Sequence, residues 1–173
     1  MRRILSIACV LWLTGCSGPT FVKGATLVVT PEPSQLVVAA PTLHSAATEA
    51  DYPTIGIVFS RYPRDSSSAT TFRTYSIQYF NMANTGIPMT DVPQRSFPTP
   101  ITVAPPAPDV PSTARFQLSL LSPAVVTYLK NLQPPVTINA RVTVNGERGP
   151  GEPVQYTFNV PIQVLASPAT PAP

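Results

Sequence analysis

Histidine, tryptophan and cysteine are nearly missing from this chain of 173 residues, which holds one His, one Trp and two Cys. Each scarcity excludes something. The cysteines are Cys9 and Cys16, so nothing beyond residue 16 can form a disulfide or a thiolate metal site. The lone His44 cannot furnish a zinc site. It is also the sole candidate imidazole base for a nucleophilic triad, and no Gly-x-Ser-x-Gly accompanies it. The Ser66-Ser67-Ser68 run reads as a solvated loop. Charge is sparse at 11% of residues, and only Glu49 and Asp51 are acidic residues within three positions of each other. That leaves no calcium loop, and the pair reads as loop hydration. Gly146, Gly149 and Gly151 lie between two strand-like runs rather than at the opening of a helix, so they form no phosphate loop. The inventory predicts neither a cofactor nor an enzyme.

What is present begins at the N-terminus. Met1-Arg2-Arg3 is followed by an apolar run from Ile4 to Leu13 and then by Thr14-Gly15-Cys16. The run is about ten residues, half of what a membrane-spanning helix needs, and the basic pair keeps its own end cytoplasmic. With Leu13-Thr14-Gly15-Cys16 as a lipobox, the segment resembles the signal of bacterial lipoproteins. The resemblance implies cleavage before Cys16, a diacylglycerol thioether on that residue and acylation of the freed amine. By the same resemblance, Ser17 in place of an aspartate favours transfer to the outer membrane.

The expected division is a signal at 1–15, a tether at 16–24, a β-sandwich domain at 25–165 and an extended tail at 166–173. Removing 15 of 173 residues leaves 158, the size of one domain. Of 11 basic residues Arg2 and Arg3 belong to the signal, so the mature balance is nine against eight acidic, or +1. No basic cluster remains either, which argues against a nucleic-acid partner.

All 23 prolines follow the signal. Many prolines, little charge and ample Val, Ile and Tyr predict strands joined by stiff loops, with proline at strand ends and edges. The runs at 25–30 and 35–39, split by Pro31 and Pro33, read as one edge strand, kinked or switching between sheets. Residues 54–61 and 71–80 read as strands, and 40–53 as a loop. Eight prolines in residues 81–112 exclude a helix; that stretch reads as a long loop or crossover, with a short strand at 101–103. Residues 113–121 form a further strand. Ser122-Pro123 then reads as an N-cap and first helical position for a short helix through 132. Residues 136–145 and 154–165 alternate strictly, with Ile138, Val142, Tyr156 and Phe158 among those predicted buried. They flank a hairpin loop, and Pro161 predicts that the last strand lies at an edge for part of its length.

The fold class is therefore all-β: a two-sheet antiparallel sandwich with one short helix. Its strand layout resembles an immunoglobulin or fibronectin type III module. The expected role is a lipid-anchored, non-enzymatic envelope module that binds another envelope protein or a surface polymer. The alternative is a small-ligand or glycan-binding lipoprotein using residues 81–112. Candidate contacts are Tyr52, Tyr62, Ile101 and Val160, the last on an edge open to strand addition.

Overall fold

The computed structural model describes residues 27–45, 48–62, 68–87 and 92–166. Cys16, the tether and the tail beyond residue 166 lie outside them. In chain order come β1 (Leu27–Glu32), β2 (Leu36–Ala39), α1 (Ala40–Ser45), a 3₁₀ turn (Glu49–Asp51), β3 (Thr54–Arg61), β4 (Thr70–Phe80) and β5 (Val92–Val103). They are followed by β6 (Ser112–Ser119), α2 (Pro123–Lys130), β7 (Val136–Arg148) and β8 (Glu152–Leu165). The chain is mostly β, in a three-stranded sheet of order β1-β3-β6 and a five-stranded sheet of order β2-β8-β7-β4-β5.

One core lies between the sheets. The alternation in β3 turns Ile55, Ile57 and Phe59 inward from the small sheet; Phe72, Ile77, Tyr79, Ile138, Ala140, Val142, Val144, Val160, Ile162 and Val164 face them from the large one. Phe59 stacks on Phe72 with ring centroids 4.6 Å apart. The Tyr79 hydroxyl donates to the carbonyl of Leu120, so a large-sheet side chain satisfies a buried acceptor beside α2. At the opposite margin Phe97 of β5 meets Phe116 of β6 edge to face at 4.7 Å. Arg61, at the end of β3, is wholly buried and donates to the carbonyls of Ser68 at 2.8 Å and Val103 at 3.4 Å.

β1 and β2 do divide one run between two sheets. The chain crosses at residues 33–35 without reversing direction. β1 is antiparallel to β3, and β2, still travelling the same way, is parallel to β8. The expectation of purely antiparallel sheets is therefore corrected: the five-stranded sheet is mixed.

Residues 81–112 need a larger correction. Residues 92–103 are strand β5, antiparallel to β4. It tolerates Pro93, Pro98 and Pro100 because it is the outermost strand of its sheet and needs ladder donors on one side only. Its register jumps between Ser96 and Ile101, which takes Pro98 and Pro100 out of the ladder and lets Phe97 turn inward. Only residues 104–111 cross to the other sheet without a strand of their own.

The helix at Ser122-Pro123 forms as read: Ser122 Oγ accepts from the Val125 amide at 3.4 Å, and Pro123 opens α2. A second helix, α1, occupies part of the expected 40–53 loop; its buried Leu43 supplies the apolar anchor. The last hairpin is tighter than expected. Arg148 pairs with Glu152, so the turn is Gly149, Pro150 and Gly151 alone. Both glycines have positive φ, 52° and 96°, a region that favours glycine. The inward faces of β7 and β8 are as predicted, but Tyr156 and Phe158 are only half-buried, since they lie toward the hairpin end where β2 no longer flanks β8.

Alternation changes phase within β4. Thr70 and Phe72 point inward, and then Ile77 and Tyr79 do. The shift is a bulge: Phe72 faces Gly146 and Thr74 faces Asn145, leaving Arg73 as the extra residue. A Cβ on Gly146 would run into the Thr71 carbonyl oxygen and come within 2.9 Å of the Phe72 Cα. Glycine is required there by backbone approach.

Candidate binding surface

The same alternation that buries the apolar face of the large sheet displays the other face. On β7 the outward residues are Thr137, Asn139, Arg141, Thr143 and Asn145; on β8 they include Gln155, Thr157, Asn159, Pro161 and Gln163. β4 adds Thr71, Thr74, Ser76, Gln78 and Phe80, and β5 adds Gln94 and Thr102. Nearly all are hydroxyls and primary amides.

This face has two halves. Toward the hairpin its side chains bond to one another: Thr71 with Thr102 at 3.1 Å, Gln94 to Thr74 at 2.8 Å, Thr143 with Thr157 at 3.1 Å and Gln155 to Asn145 at 2.8 Å. Arg73 closes that end on Glu147 at 2.6 Å. Toward the other end lies Arg141, flanked across the strands by Gln78 and Asn159, with Ser76 on a diagonal and Asn139 two residues along β7. None of these five side chains bonds or ion-pairs with another described residue. The Arg141 guanidinium instead rests 4.2 Å over the Phe80 ring. Among the described residues the carboxylate on this face is Glu147, six residues along β7, about 20 Å at ~3.3 Å per residue, and it is already paired. That separation exceeds a Debye length of ~8–10 Å, so no carboxylate among the described residues of the face compensates the Arg141 charge.

The strand margins differ. Among the described residues, β8 has a neighbour beyond β7 only from Ile162 to Leu165. Over 152–161 its outer side is open, in agreement with the reading of Pro161. Pro153 and Pro161 lie in register with Glu147 and Asn139 of β7. A proline fits that ladder only where its missing N–H points away from the partner strand. Both prolines, eight residues apart, therefore aim the blank position at the open side. The amides of Gln155, Thr157 and Asn159 between them share that direction.

The residues singled out from sequence do not converge. Cys16 lies outside the described residues. Tyr52, Ile101 and Val160 have side chains in the core, with exposures of 8%, 8% and 0%, so no partner reaches those side chains in this fold. Their strands and turns place them at inward positions, a consequence of pairing that single-residue aromaticity or edge position does not reveal. Tyr62 is half exposed, alone beyond the end of β3. His44 lies in the last turn of α1 with Nδ1 2.8 Å from the Ala40 carbonyl oxygen. Asp51 accepts from the Thr48 amide and hydroxyl, both at 2.9 Å, and Glu49 holds Arg95 at 2.9 Å, raising that guanidinium's pKa chiefly through the hydrogen bond. Both carboxylates thus have partners of their own. No group of three His, Cys, Asp or Glu side chains suited to a metal occurs among the described residues. Nor is any described helix long and apolar enough to cross a membrane.

Arg141 and its neighbours were not singled out from sequence. The available signal was the outward phase of 136–145, in which Arg141 is the one charged residue. Its neighbours on the face come from strands that lie far from it in sequence, Gln78 on β4 and Asn159 on β8.

No family model matches the chain, and no curated protein matches it in sequence. Among solved structures it is similar to Northeast Structural Genomics Consortium target SoR45, at 9% identity and TM-score 0.38, over 80% of this chain and 86% of that one. It is also similar to the consortium's Bordetella pertussis target BeR40, at 13% identity and TM-score 0.40, over 84% and 95%. Likeness at this level carries no argument about function.

Proposed function

We propose that this chain is a lipid-anchored, non-enzymatic binding module of the bacterial cell envelope, held to the outer membrane through Cys16. The lipobox pattern supports the anchor. The domain is read as an immunoglobulin-like sandwich whose first strand is shared between the sheets; the order β1-β3-β6 against β2-β8-β7-β4-β5 supports that reading. Contact is made through the outer face of the five-stranded sheet, with a surface polymer or another envelope protein.

The observation that carries this choice is where proline falls. Central strands β3, β4 and β7 contain none, while the margins at β1, β5 and β8 hold Pro31, Pro93, Pro98, Pro100, Pro153 and Pro161; β6, the other margin of the small sheet, holds none. Proline at an open margin discourages strand addition. The half of the face around Arg141 has no such obstruction. It carries hydrogen-bonding groups that no neighbour uses. Residues 92–103 being a paired strand leaves less loop within 81–112 for the alternative small-ligand or glycan site, which favours the face.

The test is binding of the mature lipidated chain to isolated envelope fragments. Ser76→Trp, which places bulk on the face, should abolish sedimentation with them. Thr157→Pro, which removes an outward donor of β8, should leave it unchanged. The reverse pattern, with both variants folded by circular dichroism, would restore edge docking and sink the face.

A further inference from the structure

We infer that the region around Arg141 binds a carboxylated polysaccharide; the inference rests on the reading of this face as the contact surface and names the chemistry of its partner. Arg141 lies near the middle of three adjacent strands, between Gln78 on β4 and Asn159 on β8. Its guanidinium carbon lies 4.2 Å from the centre of the Phe80 ring, a cation–π contact that seats the group on the sheet. Its edge donors are left for an incoming group, and a guanidinium fork matches a carboxylate with two parallel hydrogen bonds.

The surrounding groups narrow the partner further. Gln78, Asn139 and Asn159 each present a donor and an acceptor, and the Ser76 hydroxyl is both. Sugar hydroxyls are likewise donors and acceptors, so an array of amides satisfies them in either sense. A sheet face lets an extended polymer lie across several strands, each ~4.8 Å from the next.

Other partners fit less well. A neutral polymer would cover the Arg141 charge without compensating it, at a desolvation cost. A nucleic acid draws its affinity from many cations, and among the described residues this face has one unpaired. A protein partner usually anchors on exposed aromatic or aliphatic side chains in desolvated pockets. Among the described residues the exposed large apolar side chains are Val37, Tyr62, Met82, Val110 and Leu165, none of them at the strand positions that flank Arg141.

The test uses the mature lipidated chain in detergent micelles, run through native gels containing alginate, a polyuronate, or dextran, a neutral glucan. Retardation by alginate and not by dextran is expected. Arg141→Gln should weaken alginate binding about tenfold or more, the usual loss for a hydrogen bond to a charged group. Arg141→Lys should fall between, keeping the charge without the fork. Gln78→Ala and Asn159→Ala should each weaken it several-fold. Arg115→Gln, on the small sheet, should change nothing. Unchanged melting temperatures keep these comparisons interpretable.

Failure of wild-type protein to bind alginate, equal retardation by dextran, or an Arg141→Gln variant that binds like wild type would overturn the inference. Equal, Arg141-dependent binding to polyglutamate would overturn it in favour of an acidic protein. If alginate fails while Ser76→Trp still abolishes envelope binding, the face stands and the carboxylated polymer falls. If alginate binding depends on Arg141 while Ser76→Trp leaves envelope binding intact, the site stands and the face is not the envelope contact.

Discussion

Tyr79 shows how much one hydroxyl can hold. It is fully buried on β4, and its donor meets a carbonyl that is itself buried at Leu120. Tyr79→Phe keeps the ring and orphans the acceptor, which should cost about 1–3 kcal/mol in urea unfolding. Gly146 is constrained by shape rather than bonding. Gly146→Ala puts a methyl group against the backbone of Thr71 and Phe72 at the bulge. It should destabilise the domain by ~2 kcal/mol or more, with the shift visible in the same denaturation. By contrast, the exposed pair Arg95–Glu49, at 2.9 Å and 41% exposure on each side, should matter little. Glu49→Gln is expected to cost less than ~1 kcal/mol.

Elements respond according to how many neighbours they have. β7 is paired on both sides over most of its length, so any proline there removes a ladder donor. Thr143→Pro should abolish cooperative folding, whereas Thr157→Pro on the open side of β8 should melt close to wild type. A thermal scan of the two separates the predictions. The cap of α2 is a smaller matter. Its Ser122 hydrogen bond is long at 3.4 Å, so Ser122→Ala should fall near the low end of the usual ~0.5–2 kcal/mol.

For the molecule as a whole, the core reaches both ends of the sheets, but along β8 burial falls from where β2 flanks it toward the Gly149–Gly151 turn. Ile162 is wholly buried and Phe158 is not. Ile162→Ala should therefore cost ~2–5 kcal/mol, and Phe158→Ala less than the ~3–5 kcal/mol of a fully buried phenylalanine. Calorimetry of both variants checks the gradient. Anchoring is separable from folding. Cys16→Ser should leave an unlipidated precursor whose domain melts like wild type; a processed, membrane-held variant would remove the lipobox from the proposal.

Information that acts over a few residues was legible in the chain itself. Strict alternation placed the inward faces of β3, β7 and most of β8, because side-chain direction in a strand repeats every two residues. Ser122-Pro123 marked a helix start, because capping is local chemistry. The prolines at 31 and 33 marked a strand that changes sheets. Pairing is different, since it joins residues tens of positions apart. That β2 runs parallel to β8, that residues 92–103 are a strand despite three prolines, and that β4 changes phase at Arg73 all follow from which strand lies alongside. The candidate site divides in the same way. Arg141 faces outward by the alternation of its own strand, but its seat on Phe80, its neighbours Gln78 and Asn159, and its distance from Glu147 and Arg73 as a pair exist only once β4, β7 and β8 are side by side.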